Sequence, residues 1–380
     1  MKQKILVTTG SRSEYGILLP LLKELKKNPK IDLILVVTGT HLSKKHGYTI
    51  NEIKKDGFRI NATLKITPNC LDNLHLTKAI GKGVIQFAEI FSKFKPDINF
   101  IMGDRDEMLS SAIAASHMNI LNAHLAGGDV SGGLDEYNRH AITKFSNIHF
   151  TNTKQSKNRL IKMGEDPKFV FNTGSPAIDN FKNIATSKFM LEKKLNLKFI
   201  GNEIILIQHP VTTQPNEVKN QISNTLKSLV KLKKSTIVIA PNSDMKSDII
   251  VNQLRKFSKK YDFINFYTNF ERNDFLGLLQ NCGVLLGNSS SGIAEASCFS
   301  IPVINIGIRQ KGRERGKKII ELKEFDHKII EKSILSALKQ PNLHKILKNS
   351  AYGDGKSSQR IAKILEKPFP KTLIQKHILY

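Results

Sequence analysis

Short apolar runs of strand length recur along this chain, at 5–9, 32–38, 98–102, 120–125, 148–151 and 169–173. The stretches between them, at 18–27, 77–95, 107–117 and 154–163, have helical length and period. Runs that stay apolar at successive positions predict strands buried on both faces. In a chain that alternates strand and helix, that means a parallel sheet covered by helices on either side. A second series follows, with apolar runs at 204–207, 236–240, 264–268, 284–287 and 303–307, separated by segments such as 218–232 and 247–257. The pattern predicts an α/β protein of two doubly wound domains in series. The break falls after Gly174-Ser175-Pro176. This gives a first domain at 1–176, a second at 177–357 entered through a helical stretch at 189–197, and a basic helical tail at 358–380 able to cross back onto the first domain.

A length of 380 residues suits this division, and 40% apolar against 24% charged residues, spread through the whole chain, excludes wholesale disorder. No window approaches eighteen uninterrupted apolar residues, and the first apolar run ends at once in Thr8-Thr9-Gly10. Neither a transmembrane span nor a signal peptide is therefore expected. Cys70, Cys282 and Cys298 are few, odd in number and far apart, with no CxxC pair, so a reducing cytoplasm is expected. The 59 Lys+Arg exceed the 33 Asp+Glu by 26, an excess that normally raises nucleic acid as a partner. These lysines, however, are scattered, often in pairs such as Lys233-Lys234 and Lys259-Lys260, without interleaved aromatics. They read as solvated surface, and no nucleic-acid partner is expected.

In an open α/β sheet ligands bind beyond the carboxyl ends of the strands, so the loops after the apolar runs carry the chemistry. After the first run comes Thr9-Gly10-Ser11-Arg12-Ser13-Glu14-Tyr15-Gly16. Its backbone N–H groups and guanidinium suit a phosphate, although it lacks the dinucleotide and P-loop spacings. Gly287-Asn288-Ser289-Ser290-Ser291-Gly292 is predicted to open a helix whose N-terminus would hold a pyrophosphate, with Glu295 about two turns on and able to accept a ribose. The densest cluster combines Gly103-Asp104-Arg105-Asp106-Glu107 with His124-Leu125-Ala126-Gly127-Gly128-Asp129, followed by Asp135, Arg139 and His140. Carboxylates and imidazoles converging there suit proton transfer. Local helix capping by Asp104 and pairing by Arg139 is the structural alternative. Metal binding by His124, Asp129, Asp135 and His140 finds no compact ligand spacing. His209-Pro210-Val211-Thr212-Thr213 offers a proton donor or phosphate ligand at the end of the first strand of the second series.

Taken together with Arg139-His-Ala-Ile-Thr-Lys144 and Arg309-Gln-Lys-Gly-Arg313, these motifs resemble the hydrolysing UDP-N-acetylglucosamine 2-epimerases of sialic-acid-type sugar biosynthesis, in order from about residue 4 to 360. The resemblance implies two Rossmann-like domains in a glycosyltransferase-B-like arrangement, with a nucleotide sugar in the interdomain cleft. It implies the reaction UDP-GlcNAc plus water to N-acetylmannosamine plus UDP, without a redox cofactor; no metal is expected, and a homodimer or homotetramer is. Asp104 and Asp135 would be the acid/base pair, with Asp129 as a further candidate and His209 assisting beside the leaving phosphate. Arg12, Arg105, Ser289, Ser290, Glu295 and Arg309 would bind substrate and nucleotide. The sequence departs from the family at Ala126, where glutamate is common and histidine also occurs. Alanine transfers no proton, so either the other carboxylates suffice or the substrate differs, for example UDP- or GDP-N,N'-diacetylbacillosamine on the way to legionaminic acid. A transferase on the same architecture would leave the paired carboxylates without a task, and a non-catalytic nucleotide-sugar-binding protein is the remaining alternative.

Overall fold

A computed structural model describes residues 2–44, 47–66, 72–131, 133–179, 181, 185–242, 244–293, 295–299, 301–315, 318–340 and 350–379. Cys70 lies outside the described residues, and Cys282 and Cys298 are buried. The chain divides into two compact units, one of residues 1–129, 134–179 and 351–380, the other of 130–133 and 180–350.

The first unit is built on a seven-stranded parallel sheet: β1 (Gln3–Thr9), β2 (Ile31–Val37), β3 (Ala62–Thr63), β4 (Ile98–Met102), β5 (Leu121–Leu125), β6 (Ile148–Thr151) and β7 (Val170–Asn172). Their spatial order is β3-β2-β1-β4-β5-β6-β7. Both faces are covered, as the unbroken apolar runs require. Ile5 and Val7 enter one core with Leu35, Val37 and Phe100, whereas Leu6 faces the opposite core with Ile34, Val36, Phe87 and Phe91. Helix α1 (Arg12–Lys27) begins before the predicted start at residue 18, because Ser11 caps it by accepting from the Glu14 N–H at 3.4 Å. Pro20 therefore lies inside the helix, not in its first turn. Helices α2 (Ile50–Lys55), α3 (Asn73–Phe94), α4 (Asp106–His117), α5 (Leu134–Phe145) and α6 (Lys154–Lys162) complete the main layers.

The last helix of the chain, Ser357–Leu365, also belongs to this unit. Its Ile361, Ala362 and Leu365 join the α1-side core, and Asp179 accepts from the Ser357 and Ser358 N–H groups at its start. Lys376 beyond it donates to the carbonyls of Thr143, Lys144 and Ser146 at the end of α5 and pairs with buried Glu165.

The second unit carries a six-stranded parallel sheet of β8 (Ile204–Ile207), β9 (Thr236–Ile239), β10 (Ile264–Tyr267), β11 (Val284–Gly287), β12 (Val303–Ile306) and β13 (Ile319–Leu322), in the order β10-β9-β8-β11-β12-β13. The edge strands β3 and β13 were not predicted. β3 is two residues long, and β13 pairs through one neighbour only, so neither needs an uninterrupted apolar run. In both units the strand order reverses beside the first strand, between β1 and β4 and between β8 and β11. These reversals open crevices at the carboxyl ends, and the singled-out loops lie there.

Candidate active site

In the first unit the loop after β4 carries Asp104, whose carboxylate forms an ion pair with Arg139 of α5. Arg139 is 3% exposed and also donates from Nη1 to the Asp129 carbonyl at 3.1 Å. A buried guanidinium needs a counter-charge, and Asp104 supplies it while being held in one orientation by the same contact. The capping alternative for Asp104 fails, since Arg105 occupies the N-cap of α4 and no side chain bonds there. Asp135 lies in the exposed first turn of α5, one helical turn before Arg139, which places the two on one side of the helix.

Asp129 is clamped by Asn152 Nδ2 and Ser156 Oγ, each at 2.7 Å, so its carboxylate fastens the glycine-rich loop after β5 to the β6–α6 region. Ala126 opens that loop at φ 69°, a conformation L-residues seldom adopt, with its N–H donating to Phe150 O at 3.0 Å. His124 is wholly buried, bonded through Nε2 to Gly103 O at 2.8 Å, and burial lowers its pKa to about 3. It is a neutral strut under the Asp104 loop. Among the described residues no three of His, Cys, Asp and Glu gather as metal ligands.

The loop after β1 is organised around Gly10. Its N–H donates to Glu14 Oε2 at 2.8 Å, and its carbonyl accepts from Thr40 Oγ1 at 3.2 Å. A Cβ at Gly10 would sit 2.1 Å from Glu107 Oε1, so a side chain there would require that carboxylate to move. Burial, reinforced by the charge of Glu107, raises the Glu14 pKa to about 7 despite nearby Arg105. The predicted phosphate ligands here have protein partners: Arg12 Nε donates to Glu52 at 2.9 Å and Arg105 Nε to Glu107 at 3.3 Å. Glu14 and Glu107 were legible only as members of their motifs. What sets Glu14 apart is burial, which no spacing in the sequence conveys.

In the second unit Asn288 joins the two loops at the reversal. Its Oδ1 accepts from the His209 N–H at 2.7 Å and its Nδ2 donates to His209 O at 2.9 Å. Gly287 makes this approach possible. At φ 133°, any Cβ there would lie 1.9 Å from Ile207 O. Burial, with the Arg309 charge, lowers the His209 pKa to about 3, opposed by Asp244. Its Nδ1 accepts from the Asn242 N–H at 3.1 Å, which leaves the ring proton on Nε2. Of the two expected roles, proton donor or phosphate ligand, the neutral ring with its Nε2–H suits the second.

Arg309 Nη1 and Gln310 Nε2 both donate to Asn288 O, at 3.3 and 3.1 Å, bringing the Arg309 loop to the same point. The predicted helix after β11 is one turn only, Ser290–Ile293, with Ser289 at its entry bonded through Oγ to Ser291 Oγ at 2.8 Å. Glu295 therefore does not stand two turns along a helix. Its buried carboxylate accepts from Arg272 Nη1 at 3.0 Å, the pairing that burial demands. Asn288 and Gln310 stood in the sequence only as members of their motifs, and Arg272 lay outside every motif.

Two doubly wound parallel sheets, each with polar loops gathered at its strand-order reversal, form the class of α/β protein that binds its ligands beyond the carboxyl ends of the strands. The crystal structure of UDP-GlcNAc 2-epimerase from Neisseria meningitidis bound to UDP-GlcNAc superposes with a TM-score of 0.80 at 19% identity, covering 96% of this chain and 99% of that one. The family model described as UDP-N-acetylglucosamine 2-epimerase matches residues 23–366, and the chain belongs to that family, whose members act on nucleotide sugars. It is 36% identical, over 96% of each chain, to UDP-N,N'-diacetylbacillosamine 2-epimerase (hydrolyzing) of Legionella pneumophila. It is 34% identical, over 84% of each, to the GDP/UDP-N,N'-diacetylbacillosamine 2-epimerase (hydrolyzing) of Campylobacter jejuni. To the UDP-N-acetylglucosamine 2-epimerase of Neisseria meningitidis it is 31% identical over 96% of each.

Proposed function

We propose that the protein is a hydrolysing nucleotide-sugar 2-epimerase. It would expel the nucleoside diphosphate from C1 while removing the C2 proton, then hydrate the resulting glycal to release the 2-epimeric sugar. The observation that carries this reading is the fixed Asp104–Arg139 pair beyond β4, a positioned carboxylate with Asp135 one turn away on the same helix as its partner. Proton removal at C2 and water addition each require such a group. In the second unit, Arg309, Ser289 and Ser290 and the neutral Nε2–H of His209 supply donors suited to the departing diphosphate.

For the sugar, the 2,4-diacetamido nucleotide is favoured over UDP-GlcNAc. Two relatives at 36% and 34% identity are named for N,N'-diacetylbacillosamine, and Ala126 provides no ionisable side chain after β5. The reading includes a cytoplasmic homo-oligomer, a dimer or tetramer, supplying a legionaminic- or sialic-acid type of synthesis. No helix among the described residues is long and apolar enough to cross a membrane.

The test is incubation in D₂O with UDP-GlcNAc and with UDP- and GDP-N,N'-diacetylbacillosamine, followed by NMR of the products. The expected result is free nucleoside diphosphate together with a C2-inverted sugar carrying deuterium at C2, fastest with a diacetamido substrate. Nucleotide release without inversion or deuterium would mean simple hydrolysis. A sugar transferred intact to an acceptor would mean a transferase, and binding without turnover a non-catalytic protein.

A further inference from the structure

Of residues 371–379 only Leu373 and Lys376 are partly buried, the rest being exposed, and the contacts of these two converge on the carboxyl end of α5. Leu373 packs against the α1-side core, and its carbonyl accepts from Asn147 Nδ2 at 2.8 Å. Lys376 Nζ donates to the carbonyls of Thr143, Lys144 and Ser146 at 3.0, 3.1 and 2.6 Å and lies 2.5 Å from Glu165 Oε2. The last four carbonyls of an α-helix have no partner within it, and a cation is favoured beside them. Thr143 and Lys144 are two of these four, so Lys376 fixes the final turn of α5. Gly164 accepts this strap from below: its carbonyl takes the Leu379 N–H at 2.9 Å, and a Cβ on it would lie 2.5 Å from Ile378 Cγ2.

From Thr143 a line of hydrogen bonds leads to the Asp104 loop. Thr143 Oγ1 is 3.3 Å from His124 Nδ1, and His124 Nε2 is 2.8 Å from Gly103 O. A carbonyl can only accept, so the ring proton is on Nε2 and Nδ1 accepts from the Thr143 hydroxyl. Gly127 leaves room for this contact, since a Cβ there would be 2.9 Å from His124 Nδ1 and 3.2 Å from Thr143 Oγ1. Gly103, at φ 78°, turns the chain immediately before Asp104, so a bond that fixes its carbonyl also fixes the backbone from which the Asp104 side chain projects.

Resting on the reaction proposed above, we infer that Lys376, Thr143 and His124 form one positioning relay that aims Asp104 for proton transfer. Lys376 sets the last turn of α5, Thr143 sets the His124 ring, and His124 holds the Gly103 carbonyl. Arg139, one turn earlier on the same helix, holds the Asp104 carboxylate itself. Both the backbone and the side chain of Asp104 are therefore referred to α5, and a shift of that helix moves them together. None of the three relay residues touches the reacting atoms in this assignment. Positioning errors of about 1 Å are costly to a reaction whose groups must meet in one geometry, which is how a residue of the tail acts on turnover.

Thr143→Val keeps the shape and removes the hydroxyl, Thr143→Ser restores it, and Lys376→Met keeps the length of the side chain without its charge. Glu165 is not stranded by the last change, because Lys144 Nζ and His149 Nε2 each remain 2.9 Å away. Steady-state rates with UDP-N,N'-diacetylbacillosamine are measured well below the Tm of each variant, with UDP titrated in parallel. Thr143→Val and Lys376→Met are each expected to lower kcat by about 10- to 100-fold with UDP affinity within about twofold of the parent, and Thr143→Ser to return to within about threefold. The double variant is expected to be no more than about twofold below the worse single one, since one relay is broken only once. Parent-like kcat with a lowered Tm would mean that the strap merely stabilises the fold, and equal losses in Thr143→Ser and Thr143→Val, or losses that multiply in the double variant, would likewise overturn the relay. The ¹⁵N-histidine spectrum, with His124 assigned through His124→Gln, reads the geometry without turnover: Nδ1 of His124 is expected to shift in Thr143→Val and in Lys376→Met, and an unmoved resonance in both refutes the relay. A parent that turns over no nucleotide sugar while showing these shifts would sink the proposed reaction instead, so the two failures are distinguishable.

Discussion

Arg139 of α5 meets Asp104 across the space between two adjacent strand ends, so the helix that carries Asp135 is locked onto the loop that carries Asp104. Arg139 is buried while Asp104 keeps 18% of its side chain accessible, and Glu136 is a second acidic neighbour of the guanidinium at 3.9 Å, so Arg139→Ala is expected to cost about 1.5–3 kcal/mol of stability, the scale of a hydrogen bond to a charged group. If Asp104 is the base, Asp104→Asn keeps the shape and removes it. Turnover is expected to fall by roughly 10²–10⁴-fold in Asp104→Asn and in Asp135→Asn, with nucleotide affinity retained. Initial-rate measurements alongside calorimetric titration with UDP check this. Near-normal turnover in both variants would refute the assignment.

Arg309 meets the backbone of Asn288, and with it the point where the His209 and Ser289 loops are joined. If its guanidinium binds the diphosphate, Arg309→Ala is expected to weaken nucleotide binding by about 1.5–3 kcal/mol, the scale of a hydrogen bond to a charged group. Titration of UDP and GDP into the variant reads this directly. Unchanged affinity for both would put the phosphates elsewhere.

Glu14 makes stability depend on pH in a direction opposite to that of a salt-bridged carboxylate. Its folded pKa of about 7 lies above the unfolded value of 4.5, so the native state binds the proton more tightly. The resulting stabilisation is complete below pH 4.5 and is lost as pH rises through 7. The loss is of order 3 kcal/mol, at about 1.4 kcal/mol for each pKa unit. Urea unfolding at intervals from pH 4.5 to 8 is expected to show this decline in the parent protein and its absence in Glu14→Gln. The same decline in both proteins would mean that another group titrates.

The central strands of both sheets were legible because parallel strands covered on two faces must be apolar at every position, as Ile5-Leu6-Val7 is. The motifs also lie in the loops that follow those strands. What the sequence did not convey was pairing. Nothing near Asp104 indicates that its counter-ion is thirty-five residues away, and nothing near Glu295 indicates Arg272. Helix α5 was not predicted as an element, although it carries Asp135 and Arg139, because its first turn is largely solvated and its apolar face is narrow. Nor does the sequence convey that His209 is buried and accepts a hydrogen bond from the Asn242 N–H.

Ala126 tests whether the loop after β5 faces the reacting sugar. Its φ of 69° strains any L-residue by about 1–2 kcal/mol, so Ala126→Gly relieves the backbone without adding chemistry. That variant is expected to match or exceed the parent in stability, and it serves as the control. Ala126→Glu places a third carboxylate near Asp104 and Asp129, where like charges raise one another's pKa. An upward shift of the pH optimum is expected, together with a loss of rate on the bulkier diacetamido nucleotide relative to UDP-GlcNAc. Rate–pH profiles on both substrates, compared with those of Ala126→Gly, separate the effect of charge from that of backbone strain. If rate, pH optimum and substrate preference are all unchanged in Ala126→Glu, residue 126 lies outside the active site, and the absence of an ionisable group there has no bearing on which sugar the enzyme takes.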